Sequence, residues 1–361
     1  MSASTNPASD FGLIDERLSF GQRLRKSQTA QIMIVLMVLT ALFSALAPDA
    51  FFTLFNLRNI FINVAVFAIL GVGMTFVIIT AGIDLSIGSI LVFSTVIACK
   101  VIIGMGGQGW GATFGGFIAC LVVATIWGAV NGWLVAIAKV PAFIVTLGTL
   151  STVLGLAQII TGGIDLSDAT DVMVDKIGFG NVIGEIPVLG VIALIFAIFG
   201  GVLLHKTKFG LTTYAIGSNI EGCRRVGINV NRHLVYVYAL MGFCAGLAGF
   251  LSLSLYQQTT IAGQSNTALT VIAGVVIGGT SLFGGYGSIF GTMIGLLIPI
   301  VLQTGFIIIG IVPFWQNVVV GVFLVAAVYV DTARRAAAEG GGRSLKKRSL
   351  NESDSNAKGK K

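Results

Sequence analysis

The sequence predicts an all-α polytopic membrane protein of about ten transmembrane helices, with Gly-broken segments and both termini cytoplasmic. Three observations carry that expectation. The 361 residues are 55% hydrophobic and only 10% charged, with a mean hydropathy of +0.94, so charged groups are too few to cover soluble domains. Apolar runs of about 20 residues, the length that crosses a bilayer, repeat along nearly the whole chain. Basic residues are confined almost entirely to alternate segments between those runs.

In chain order the runs lie at 30–47, 58–80, 86–103, 112–138, 142–161, 187–204, 235–256, 268–283, 289–309 and 314–331. The first ends in Ala45-Leu46-Ala47, like a signal-peptide cleavage site, but it follows 29 polar residues and meets Pro48 at once, and it reads as an uncleaved span. Only Gly82-Ile83-Asp84-Leu85-Ser86-Ile87-Gly88 parts the second run from the third. Asp84 or Ser86 there caps the helix starting near Ile87, meeting backbone donors that lipid cannot satisfy; alternatively, Asp84 accepts solute hydroxyls or rearranges in gating. Gly128 with Gly132, and Gly291 with Gly295, have the small-xxx-small spacing of helix contacts. The eighth and ninth runs meet through Gly278-Gly279, Gly284-Gly285 and Gly287-Ser288-Ile289. Close packing is the plainer use of those glycines, with Thr280 and Ser281 as candidates for a gate or pathway. Residues 1–29 and 332–361 read as flexible tails flanking a 30–331 membrane domain.

Orientation follows from Lys and Arg. With the N-terminus inside, all but three of the 22 basic residues (Arg58, Lys100 and Lys176) lie in cytoplasmic segments, nine of them in the C-terminal tail. The acidic Asp165, Asp168, Asp171, Asp175 and Glu185 then share one outer loop, 162–186. The formal charge of +7 thus reflects inner loops and a tail beside anionic membrane lipid, not nucleic acid.

Several chemistries are missing. The spans hold almost no ionisable groups, and Asp84 alone is a credible proton carrier. Cys99, Cys120, Cys223 and Cys244 have neither disulfide nor metal-ligand spacing and read as inert thiols. Residues 200–207 nearly match a phosphate-cradling loop, but His205 replaces its second Gly and the stretch ends a span. No catalytic residue, cofactor site or metal site is expected on this chain.

Residues 205–234 form the longest internal cytoplasmic segment, with room for a short surface helix. Asn219 would cap it, Glu221, Arg224 and Arg225 would occupy its surface and Gly227 would end it. An ordinary positive-inside loop is the alternative. The run Tyr214-Ala215-Ile216-Gly217-Ser218-Asn219, followed by Arg224 and Gly227-Ile228-Asn229-Val230, resembles the coupling segment of ribose-type ABC importer permeases. That family also serves xylose, galactofuranose, inositol and autoinducer-2, and is related to the branched-chain amino acid permeases. Three more motifs match in order: Ala81-Gly82-Ile83-Asp84-Leu85-Ser86-Ile87-Gly88-Ser89, Pro141-Ala142-Phe143-Ile144-Val145-Thr146-Leu147 and Val276-Ile277-Gly278-Gly279-Thr280-Ser281-Leu282-Phe283-Gly284-Gly285.

The resemblance implies a permease subunit in the bacterial inner membrane that moves a monosaccharide or polyol. It implies a second permease copy or related partner, a periplasmic sugar-binding protein, and a separate ABC ATPase carrying ATP and Mg. Asn219, Glu221, Arg224, Arg225, Gly227 and Ile228 would then couple to the ATPase. Asp84, Ser86, Asn131, Phe143, Thr146, Thr280 and Ser281 are candidates for the translocation path or gate; Asn63, Thr149 and Gln158 are polar candidates for which packing is the simpler reading. The chain departs from the family at Ala268-Leu269-Thr270, where many relatives carry acidic residues, and at Leu211, where Arg is usual. A stand-alone secondary transporter or channel for small neutral solutes is the rival reading, discriminated by whether transport needs a partner ATPase.

Overall fold

A central helix, buried along most of its length, organises the bundle. The structure is a computed structural model that describes residues 28–261, 266–312 and 314–322, together with 325, 326, 328, 329 and 332. Its helices are α1 (Gln28–Leu46), α2 (Leu54–Ile79), α3 (Ile87–Gly104), α4 (Gly109–Ala136), α5 (Ala142–Thr161), α6 (Val188–Lys206), α7 (Lys208–Ser218), α8 (Ile220–Arg225), α9 (Val230–Tyr256), α10 (Thr267–Ile277) and α11 (Ile289–Ile308). A π-helix covers Met173–Gly178, and residues 314–322 are helical. No strand occurs among the described residues. Among the described residues, eight helices are long and apolar enough to cross a membrane: α1 to α6, α9 and α11.

Local chemistry explains the boundaries. Thr53 opens α2 by accepting from the Asn56 amide, and Ser288 opens α11 by accepting from the Gly291 amide at 3.0 Å. Pro141 and Pro187 stand directly ahead of α5 and α6, where a missing N–H costs nothing. Gly162, at φ 68°, ends α5 in the left-handed conformation, and the Gly163 amide bonds back to the Gln158 carbonyl at 2.9 Å.

Packing sorts the helices into an inner and an outer set. From Ile60 onward α2 is almost wholly buried, and α3, α9 and α11 join it in the interior. By contrast α4, α5 and α6 bury small residues on one side and present Phe114, Ile126, Ile159, Ile195 and Phe199 outward, as lipid-facing helices must. α4 reaches α9 by backbone approach: a Cβ on Gly128 would lie 2.8 Å from the Gly242 Cα, and one on Gly132 2.8 Å from the Val235 Cα. Gly291 and Gly295 meet the Gly278 and Gly274 carbonyls in the same manner, so both expected small-residue pairs are helix contacts.

The connecting segments separate into two groups, one at each end of the bundle. At one end the Asp171 amide donates to Gln108, Arg58 donates to Asn181, and the 165–166 and 259–261 stretches bond together. At the other end residues 79–86, 214–219 and 284–288 converge. We refer to these as the Asp165 end and the Gly217 end.

Three expectations need correction or restriction. The run at 268–283 is helical only through α10, 11 residues from Thr267 to Ile277 and about 16 Å of helix against a bilayer core of ~30 Å, because Gly278 and the glycines after it break the helix. Residues 205–234 hold more than one short surface helix: α7 precedes α8, opened by Thr207 accepting from the Gly210 amide at 3.3 Å. Asp165, in the acidic 162–186 segment, accepts from Thr259 Oγ1 at 3.0 Å and from the Ile261 amide at 2.8 Å. The tails, save residues 28, 29 and 332, and part of the 314–331 run lie outside the described residues.

Candidate functional site

The break between α2 and α3 is built around one carboxylate. Ala81, at φ 61°, turns the chain out of α2, and the Gly82 amide returns to the Val77 carbonyl at 3.0 Å. Asp84 is then carried to full burial. Its Oδ1 accepts from the Ser86 amide at 2.9 Å and from Ser86 Oγ at 2.6 Å. Ser86 occupies the N-cap position of α3 without a side-chain capping bond, so the carboxylate, and not the Ser86 hydroxyl, serves the first orphan donor.

Two further helices join this centre. Asn131 Nδ2 of α4 donates to Ser86 Oγ at 2.9 Å, and Thr149 Oγ1 of α5 donates to Asn131 Oδ1 at 2.6 Å. Thr146 Oγ1 lies 2.9 Å from the Ala142 carbonyl and 3.4 Å from that of Ile83. The chain Asp84–Ser86–Asn131–Thr149 thus links the break to α4 and α5 through buried bonds, which low local polarity strengthens. Asp84 Oδ2 and the Tyr238 hydroxyl of α9 make no hydrogen bond in the described structure. Both border the same turn, since a Cβ on Gly82 would stand 2.7 Å from the Tyr238 oxygen.

The second break, 278–288, lies against the first. The Gly285 amide donates to the Ile79 carbonyl at 2.9 Å. Gly217, near the end of α7, is wedged so closely that a Cβ would collide with that same carbonyl. Tyr214, one turn earlier, donates to the Gly287 carbonyl at 2.6 Å. Burial pushes the Tyr214 phenol up to about 12, so it remains a donor across the physiological range. One backbone oxygen, that of Ile79, is therefore shared by the end of α2, the second break and α7.

Beyond this junction α8 turns outward. Asn219 Oδ1 accepts from the Gly222 amide at 2.8 Å, and Gly227, at φ 82°, follows the last turn. Cys223 packs inward with Ile216 and Val230, while Glu221, Arg224 and Arg225 stay exposed and Glu221 pairs with Arg224 at 2.7 Å. Val226, 76% exposed, and Ile220 place apolar surface beside those charges.

Of the pathway candidates, the structure brings together Asp84, Ser86, Asn131 and Thr146, with Thr149. Thr280 and Ser281 sit in the second break; the Ser281 amide donates to the Tyr286 carbonyl at 3.0 Å, and Thr280 Oγ1 is buried against Gly287. Phe143, 54% exposed on the surface of α5, stands apart from the network. Sequence reasoning missed Tyr238, which reads as one more aromatic in an apolar run, and the wedge at Gly217, whose only sign was its place in a Gly-Ser-Asn step.

Apolar helices long enough to cross a membrane, two glycine-broken turns at one end and an exposed charged helix joined to them describe a polytopic membrane protein. The chain belongs to the family described as branched-chain amino acid transport system / permease component, which matches residues 56–328. It is 36% identical to the ribose import permease protein RbsC of Escherichia coli, over 84% of this chain and 93% of that protein. It is 35% identical to the D-allose transport system permease protein AlsC of Escherichia coli, over 82% of this chain and 89% of that one. The xylose transport system permease protein XylH of Haemophilus influenzae is 33% identical, over 86% and 98% of the two chains. No solved structure matches. The chain is a permease component and not an enzyme.

Proposed function

We propose that this chain is the membrane-spanning subunit of an ATP-driven importer of a monosaccharide or related polyol in the bacterial inner membrane. The observation that carries the reading is the similarity, over 82–86% of this chain, to permeases named for ribose, D-allose and xylose. In this reading the Gly217 end is cytoplasmic and both termini lie there, with ten passes of the chain: the eight long helices, the 314–331 run, and a pass at 267–288 in which the short α10 is completed by non-helical chain. The basic residues at 206, 208, 224, 225 and 232 favour that side.

A separate ATPase, holding ATP and Mg, docks on the face of α8 made by Asn219, Glu221, Arg224, Arg225, Gly227 and Ile228. Its closure moves α7, and Gly217 with Tyr214 carries that movement to both breaks at once. Asp84, Ser86, Asn131 and Thr146 act as the hinge of the first break, with Thr280 and Ser281 in the second. A sugar-binding protein delivers solute at the Asp165 end, and a second permease copy or related partner completes the pathway.

Reconstitution tests this. Liposomes holding the permease, its ATPase and its binding protein should take up a pentose or hexose only with hydrolysable ATP. Uptake by the permease alone, at an undiminished rate, would establish the stand-alone transporter instead.

A further inference from the structure

At the Asp165 end, α4, α6, α9 and the π-helix enclose a groove of about 280 Å³. Phe114 and Phe117 form one wall, Ile192 and Ile177 another, and Leu247 and Phe250 the floor, with Trp110 at the mouth. The one polar side chain on the lining, Thr113, is already committed: its hydroxyl bonds the Gly109 carbonyl at 2.9 Å and stands 2.5 Å from that of Thr170. The walls are fixed. Gly178 lies against the Ser254 carbonyl so closely that no side chain fits between, and Phe117 meets Phe250 edge to face at 5.0 Å.

The groove differs from an ordinary lipid-facing helix surface in being concave and rigid. Phe114 and Trp110 of its lining are exposed on α4, and Leu194 and Ile195, just beyond Ile192 on α6, are exposed as well. Water gains nothing in a cavity without polar partners, and an empty one forfeits dispersion contacts along its walls. From Trp110 to Phe117 it descends two turns, about 11 Å, a span suited to the first half of a hydrocarbon chain. Its rim is charged: Ile177 of the lining directly follows Asp175 and Lys176, and Asp171 is tied to Gln108 at the head of α4. Lys176 is the single basic residue in 162–186, is exposed, and makes no ion pair among the described residues.

We propose that this groove binds one acyl chain of phosphatidylethanolamine, with the phosphate at Lys176 and the ammonium at Asp175 or Asp171. A cation beside carboxylates complements a zwitterionic amine headgroup in both signs, whereas a purely anionic headgroup meets repulsion from the acidic neighbours. The leaflet is the outer one if the orientation above holds; occupancy of the groove does not depend on it.

Trp110 provides the readout, with Trp133 of α4, 52% exposed near its opposite end, as the internal control. The full-length permease keeping only one of these tryptophans, the others changed to Phe, is placed in phosphatidylglycerol vesicles containing rising fractions of phosphatidylethanolamine brominated on its acyl chains. Quenching of Trp110 should reach half its maximum at a lipid fraction at least fivefold below that for Trp133. Lys176→Ala, a surface change without folding cost, should raise the Trp110 midpoint threefold or more, and Ile192→Phe, which fills the groove, should move it to the Trp133 value. Coincident curves for both tryptophans would reduce the groove to ordinary boundary lipid. A Trp110 that no fraction quenches would mean that protein, such as a second copy, covers it. Should the single-Trp proteins fail to fold, native mass spectrometry of the wild type decides. One tightly retained phosphatidylethanolamine per chain, lost in Lys176→Ala, supports the site, and equal retention in both overturns it.

Discussion

At the Gly217 end of the bundle, three chain segments meet backbone to backbone, with Gly217 and Gly285 both pressed on the Ile79 carbonyl. At the Asp165 end, Gly178 is wedged on the Ser254 carbonyl and the Thr259 amide donates to the Leu166 carbonyl, but the loops otherwise meet through side chains: Asp165 with Thr259 and the Ile261 amide, Gln108 with the Asp171 amide, Arg58 with Asn181 and Glu185. The two constructions respond differently to force. Backbone wedged on backbone has no rotamer to give, so a displacement of α7 passes undiminished to both breaks. A side-chain bond stretches, rotates or exchanges with water, so the loops at the other end can rearrange while the packing of Gly178 on Ser254 holds the π-helix to α9. Under the proposed function, stiffness then sits at the end where the ATPase would push, and the looser loops at the end where the binding protein would arrive.

The largest effect should therefore fall at Gly217. Gly217→Ala puts a methyl into the Ile79 carbonyl, and overpacking against backbone costs roughly 3 kcal/mol. Thermal unfolding of the purified permease should drop sharply, while Gly148→Ala, in open space on α5, should stay within about 1 kcal/mol of wild type. Similar melting for the two variants would show that the Gly217 end yields as readily as the other, and the contrast would collapse.

Asp84 sharpens the account of the first break. Asp84→Leu strands the Ser86 amide and weakens the bonds through Asn131 and Thr149, at a cost of about 2–4 kcal/mol for buried groups left unpaired. Asp84→Asn retains the Oδ1 acceptor and should lie within about 1 kcal/mol of wild type, with transport intact. An Asn variant that is stable yet inactive would show that the carboxyl proton, not the hydrogen-bond geometry, is what the transporter uses.

The counterpart at the compliant end is Asp165→Ala, which removes two bonds to the 259–261 stretch and should cost about 1–2 kcal/mol. Hydrogen exchange should rise in residues 257–261 and leave α2 and α9 unchanged. Faster exchange spreading into α9 would reveal a stiff connection where the structure shows a loose one.

These tests also mark what the chain itself discloses. Hydropathy carries the membrane helices because apolar length is a local property, and the α8 cap is legible because Asn219 and Gly227 act on neighbouring residues. Short-range pattern likewise exposes Gly128 and Gly291 as contact positions. The network through Asn131 and Thr149 is not legible, since its members lie 45 and 18 residues apart and each reads alone as a polar residue in an apolar run. The truncation of α10 is half legible: Gly278 and Gly279 interrupt the run 268–283 in the sequence, but that the helix ends at Ile277 goes with the packing of Gly278 on Gly291, which no local pattern shows. α7 escapes because, of its buried residues Gly210, Thr213 and Ile216, only Ile216 is strongly apolar.

The smallest structural effect, with the largest functional consequence relative to it, is expected at Glu221. Its side chain is exposed, and its one bond is the ion pair with Arg224 three residues on, worth at most about 0.5 kcal/mol on a helix surface. Glu221→Lys should leave the melting temperature unchanged and the rest of the permease folded. At a docked interface the reversed charge meets its former partner as a like pair, and repulsion there costs several kcal/mol. Solute-stimulated ATP hydrolysis and uptake by the reconstituted complex should therefore fall together, and the ATPase should bind less tightly in pull-down. Gly227→Val should give the same functional loss by a different route, since a β-branched residue is poorly tolerated at φ 82° and the end of α8 would be redirected. If both variants bind the ATPase and transport at wild-type rates, α8 is no more than a tether, and the rigid Gly217 junction behind it must receive its push from another surface.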